Sequence, residues 1–83
     1  MIRVLIVEDQ AILRESLARS VGDQPDMTVV SAIADASEAL GVALKERPDM
    51  ILMDVCTEHD SNGIVAAARI KEQLPEWRII IMT

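Results

Sequence analysis

The run Met50-Ile51-Leu52-Met53-Asp54-Val55, entered through Pro48-Asp49, decides the fold. Four apolar residues follow one another without polar alternation, and an acid ends them. A strand with one wet face alternates apolar and polar residues. An unbroken apolar run marks a strand covered on both faces, as in a parallel sheet packed under helices. IRVLIV at 2–7 and RIIIMT at 78–83 share the pattern, and MTVVSAI at 27–33 supplies another strand.

The segments between these runs carry helical spacing. Leu13, Leu17 and Val21 recur every four residues and so share a face, with Gly22 offering a stop. Ser37 is placed to cap a second helix whose apolar stripe is Leu40 and Leu44. That helix must end before Pro48, because the residue preceding a proline disfavours the α region. A third helix, from about Gly63 to Leu74, carries Ile64, Ala67, Ala68 and Leu74, with Pro75 beyond its end. Four strands thus alternate with three helices. The expectation is an α/β fold: a doubly wound parallel sheet with right-handed crossovers and helices on both faces. No repeat, linker or low-complexity stretch divides residues 1–83, which read as one unit ending on a strand.

Composition narrows the functions available. The 83 residues are 51% hydrophobic and 27% charged, enough for one small core and too apolar for disorder. With no Phe, no Tyr and one Trp, the core must be aliphatic. Eight Lys and Arg against 14 Asp and Glu give a net charge of -6, and the basic residues stand singly along the chain. Such a chain has no patch to neutralise phosphates, so direct contact with nucleic acid is not expected. Cys56 is the only cysteine, which excludes an internal disulfide and suits a reducing compartment. The first apolar run leads straight into Glu8 and Asp9, unlike a signal peptide, and no run approaches the roughly 20 residues of a membrane span. A cytoplasmic protein without membrane contact is expected.

Chemistry in an open parallel sheet sits at the carboxyl ends of the strands. Those ends are Glu8 and Asp9 after the first strand, Asp54 at the third and Thr83 at the fourth. Carboxylates brought close repel one another. A hard divalent cation resolves that conflict, and Mg²⁺ needs only a few carboxylates, waters and often a phosphoryl oxygen. Asp54 at the rim of a buried strand suits a nucleophile toward phosphorus, forming an aspartyl-phosphate whose developing charge a metal would stabilise. Each acid also has a plainer reading. Asp54 can terminate a strand, and Glu8 and Asp9 can be solvated loop acids favoured by a helix dipole. Three acids at one edge weigh toward a site.

VLIVEDQ at 4–10, PDMILMD at 48–54, Gly63 nine residues after Asp54 and IIIMT at 79–83 resemble the response-regulator receiver domain of two-component systems. The resemblance runs the length of the chain in order, and is nearest to receivers that precede a LuxR-type helix-turn-helix output domain. It implies a flavodoxin-like sheet and identifies Asp54 as the phosphoacceptor. Glu8 and Asp9 match the acidic pair that holds Mg²⁺, Cys56 the position whose backbone carbonyl joins the metal, and Thr83 the switch hydroxyl. It further implies a sensor histidine kinase as phosphodonor, with a small acyl phosphate as substitute. The domain would take up and lose a phosphoryl group without being an enzyme in the ordinary sense, and would control an output domain, in relatives one acting on transcription.

The chain departs from the family in three respects. Family loops carry Pro at the fourth position after the phosphoacceptor and Gly at the eighth. Here Glu58 takes the fourth place and Gly63 the ninth, so CTEHDSN is longer and more acidic. Family members continue through a further helix, a strand ending in Lys and a last helix; Lys45 and Lys71 fall on helices and do not substitute for that lysine. On this reading residues 1–83 are a receiver incomplete at its C-terminal end, without an output domain. The fourth strand would then be an exposed apolar edge, a template for self-association.

Other candidates have weaker chemistry. His59 reads as a solvated loop residue, Cys56 lacks the electropositive setting of a reactive thiol, and Trp77 reads as a packing anchor. A phosphatase of the aspartyl-phosphate type would want a second Asp where Cys56 stands. Nucleotide binding fails because no Gly-rich loop follows the first strand. The alternative to a phosphoacceptor is a module built on the same fold that works through its surface, independently of phosphorylation.

Overall fold

The computed structural model describes residues 1–54, 62–73 and 78–82. Its elements are β1 (Ile2–Val7), α1 (Ala11–Gly22), β2 (Met27–Ile33), a 3₁₀ turn (Ala36–Glu38), α2 (Ala39–Glu46), β3 (Met50–Asp54), α3 (Asn62–Gln73) and β4 (Arg78–Met82). All strand pairs are parallel, in the order β2-β1-β3-β4. The expected α/β alternation is what forms, and β4 lies at an edge of the four-stranded sheet.

Unbroken apolar runs form these strands because successive residues feed two cores on opposite faces. Leu5 and Val7 of β1 join Ile51 and Met53 of β3, Ala39 and Ala43 of α2 and Ile70 of α3. Val4 and Ile6 join Val21 of α1, with Leu17, Ala18, Met50 and Leu52 packed around them. Each fully buried Leu or Ile contributes about 1.5–3 kcal/mol over its exposed state. Among the described residues both clusters are wholly aliphatic.

The first core departs from the sequence pattern on α2. Its buried residues are Ala39 and Ala43, while Leu40 packs at the margin and Leu44 is exposed. Two alanines one turn apart let the helix axis approach the sheet more closely than leucines would, so the small residues win the inward face. On α1 the stripe holds at Val21 and Leu17, but Leu13 is 45% exposed.

The helix boundaries also differ in their chemistry. Ser37 does not cap α2. It lies inside the 3₁₀ turn, and its N–H donates to Asp35 Oδ1 at 2.8 Å, so Asp35 is the cap of that turn. At the other end of α2, Arg47 adopts the left-handed conformation (φ 51°) and its N–H donates to the Ala43 carbonyl at 2.8 Å. The helix thereby stops before buried Pro48. Beyond it the chain enters β3 through a paired contact with β1. Asp49 N–H donates to the Arg3 carbonyl at 2.7 Å, and Arg3 N–H donates to Asp49 Oδ2 at 2.8 Å.

Candidate functional site at the carboxyl edge of the sheet

The sheet register determines which chain ends meet. Val7 of β1 pairs with Met53 of β3, so Glu8 and Asp54, the next residue on each strand, stand at the same level of the carboxyl edge. Asp54 in turn pairs with Met82 of β4, the residue before Thr83. Cys56 and Thr83 lie outside the described residues, as do Glu58, His59 and Trp77.

Glu8 continues the β1 ladder by one bond, donating its N–H to the Ile33 carbonyl of β2 at 2.9 Å. It is only 2% exposed, whereas Asp9 beside it is exposed. A buried carboxylate is expensive unless its oxygens find donors. Glu8 Oε2 accepts the Gln10 N–H at 3.0 Å, which also serves one of the orphan amide groups at the start of α1. The Glu8 carbonyl accepts from Arg14 Nη1 at 2.9 Å. Gln10, the N-cap residue, makes no side-chain cap of its own. The turn is thus held by Glu8 and Arg14.

Arg14 was not among the residues that sequence reading singles out, although a signal for it exists. The first turn of α1 has no acid, and a cation follows at its fourth residue, where the helix dipole disfavours positive charge. A residue placed against that preference has another reason for its position, and here it is the Glu8 carbonyl.

Among the described residues no group of three or more His, Cys, Asp and Glu gathers around a point that could hold a metal ion. The buried Glu8 carboxylate and exposed Asp9 next to it are oxygen donors of the kind a hard cation takes, and the backbone of Asp54 ends the adjacent strand. Lys45 is in the last turn of α2 and Lys71 in that of α3, so both belong to helices, as the sequence implies.

The family model for the response regulator receiver domain matches residues 4–83. The chain belongs to this family. The oxygen regulatory protein NreC of Staphylococcus haemolyticus is similar to this receiver, 32% identical over 81 residues. That match covers 98% of this chain and 37% of NreC. NreC of Staphylococcus epidermidis is 33% identical over the same shares. Among solved structures, a LuxR-family two-component response regulator from Aurantimonas sp. superposes with a TM-score of 0.88 at 32% identity, covering 98% of this receiver and 57% of that chain. The response regulator domain of CheB from Thermotoga maritima gives 0.85 at 39% identity, covering 98% and 59%. This receiver therefore spans well under half the length of the NreC proteins it matches. None of its helices, among the described residues, is long and apolar enough to cross a membrane.

Proposed function

We propose that this receiver accepts a phosphoryl group on Asp54 from a sensor histidine kinase, with Mg²⁺ held by Glu8, Asp9, Asp54 and the Cys56 carbonyl. The observation that carries this reading is the pairing of Val7 with Met53, which brings Glu8 and Asp54 to one level of adjacent parallel strands. In the step proposed, a carboxylate oxygen of Asp54 attacks phosphorus as the bond to the donor breaks. The electron pair of that bond leaves with the phosphohistidine nitrogen or, for a small donor, with the acyl oxygen. A bound divalent cation would offset the charge gathered on the phosphoryl oxygens. Glu8 serves by being fixed: its buried carboxylate, held by the Gln10 N–H, is preorganised at the edge. Thr83, one residue past the β4 residue that pairs with Asp54, is the switch hydroxyl in this reading. The change it reports would pass to an output domain, by likeness to the LuxR-family relatives one that regulates transcription.

Acetyl phosphate with Mg²⁺ tests this directly. Intact-mass measurement should show one added phosphoryl group, lost in Asp54→Asn and absent when the metal is chelated. Unlabelled wild-type protein would refute the reading. It would leave the second one, a phosphorylation-independent module that self-associates through β4. That alternative predicts a concentration-dependent dimer in light scattering, indifferent to beryllofluoride and Mg²⁺.

A further inference from the structure

One residue holds the turn between β1 and α1 in two ways. The backbone N–H of Arg14 donates to the Gln10 carbonyl at 2.8 Å, the first hydrogen bond of α1. Its guanidinium Nη1 reaches back to the Glu8 carbonyl at 2.9 Å. Glu8 in turn holds the Gln10 N–H through Oε2 at 3.0 Å and is tied to β2 through Ile33. The residues from Glu8 to Gln10 are therefore enclosed by bonds that end on Arg14 or on Glu8 itself.

The charge of Arg14 makes the arrangement informative. A cation near the start of a helix opposes the dipole, and near an acidic metal site it opposes a second cation as well. Arg14 is half-buried, so its field is not fully screened. What it supplies in return is a charge-assisted hydrogen bond to a carbonyl at the end of the sheet ladder. We propose that Arg14 is a positioning residue: through the Glu8 carbonyl it sets the turn that presents Glu8 and Asp9 to the metal. This rests on the Mg²⁺ site proposed above, and it assigns Arg14 no contact with metal or phosphoryl group.

The two effects of the guanidinium have opposite signs, which makes the proposal testable. If Arg14 acts by holding the turn, Arg14→Met weakens Mg²⁺ binding. If only its charge matters, the same change tightens it. The experiment is calorimetric titration of the intact protein with Mg²⁺, without phosphodonor. Arg14→Met is expected to raise the Mg²⁺ Kd about ten-fold, the size typical of residues supporting metal ligands. Arg14→Lys, which keeps the charge and can still donate, should fall between it and the wild type. The Gln10 amide resonance should move in the same order. Phosphorylation by acetyl phosphate at saturating Mg²⁺ should stay near the wild-type rate, a split that general loss of structure would not produce. An unchanged or lowered Kd in Arg14→Met overturns the proposal. Should that variant fail to fold, a Kd for Arg14→Lys at or below the wild-type value overturns it equally. A wild-type protein that binds no Mg²⁺ overturns the metal site itself, and Arg14's role with it.

Discussion

Glu8 Oε2 accepts the backbone N–H of Gln10 at 3.0 Å although Glu8 is almost entirely removed from solvent. One carboxylate therefore serves as a buried acceptor and as a proposed metal ligand, and substitutions can separate the two. Glu8→Gln keeps an amide oxygen for the Gln10 N–H and removes the charge. Its Mg²⁺ affinity should fall at least ten-fold. Glu8→Ala loses the acceptor too and should be about 1–3 kcal/mol less stable than Glu8→Gln. Denaturant titration of both variants, alongside Mg²⁺ titration, checks the separation.

Leu5 and Leu13 look alike in sequence, each an apolar residue in an apolar pattern, yet Leu5 is fully buried and Leu13 is 45% exposed. Leu5→Ala should cost about 2–5 kcal/mol, from lost burial and the cavity left behind. Leu13→Ala should cost less than about 1 kcal/mol. Equal unfolding midpoints for the two variants would contradict the packing described here.

That contrast shows where the sequence is a good guide and where it is not. The strands were legible because a run such as IRVLIV has one physical explanation: both faces of β1 are packed, by Leu5 and Val7 on one side and Val4 and Ile6 on the other. The helix faces were less so. Periodicity marks which residues share a face, but not how closely that face approaches the sheet, and on α2 closeness selected Ala39 and Ala43 over Leu44. At the carboxyl edge, Glu8 and Asp54 could be placed from strand ends alone, since a parallel sheet gathers all its carboxyl ends on one edge. Arg14 could not, because its role depends on a side chain reaching back six residues to a carbonyl that sequence does not display.

Arg47 carries a backbone cost that can be relieved. Its φ of 51° lies where an L side chain crowds its own backbone, and the side chain is exposed. The bond it makes to Ala43 uses only its N–H. Arg47→Gly retains that bond and removes the crowding, against a smaller loss from greater freedom in the unfolded chain. A net gain of about 0.5–1 kcal/mol is expected in equilibrium unfolding, with Mg²⁺ binding unaltered.

Asp35 gives the fold a pH dependence of defined sign. The backbone N–H of Ser37, and secondarily its hydroxyl, hold the Asp35 carboxyl below its ordinary value. A carboxylate whose folded value is depressed adds stability in full above the unfolded value, near pH 4, and loses it as the pH falls through the folded one. Asp35→Ala removes the acceptor at every pH and should lower the unfolding midpoint at pH 7 by a small amount. Because the wild type surrenders the same contribution in acid, the gap between the two should narrow below about pH 4. Asp35→Asn keeps an oxygen for the Ser37 N–H but has no charge to titrate, so the gap between it and Asp35→Ala should stay constant across that range. A gap between wild type and Asp35→Ala that is equal at pH 7 and pH 3 would show that the carboxylate charge at this turn contributes nothing to the fold.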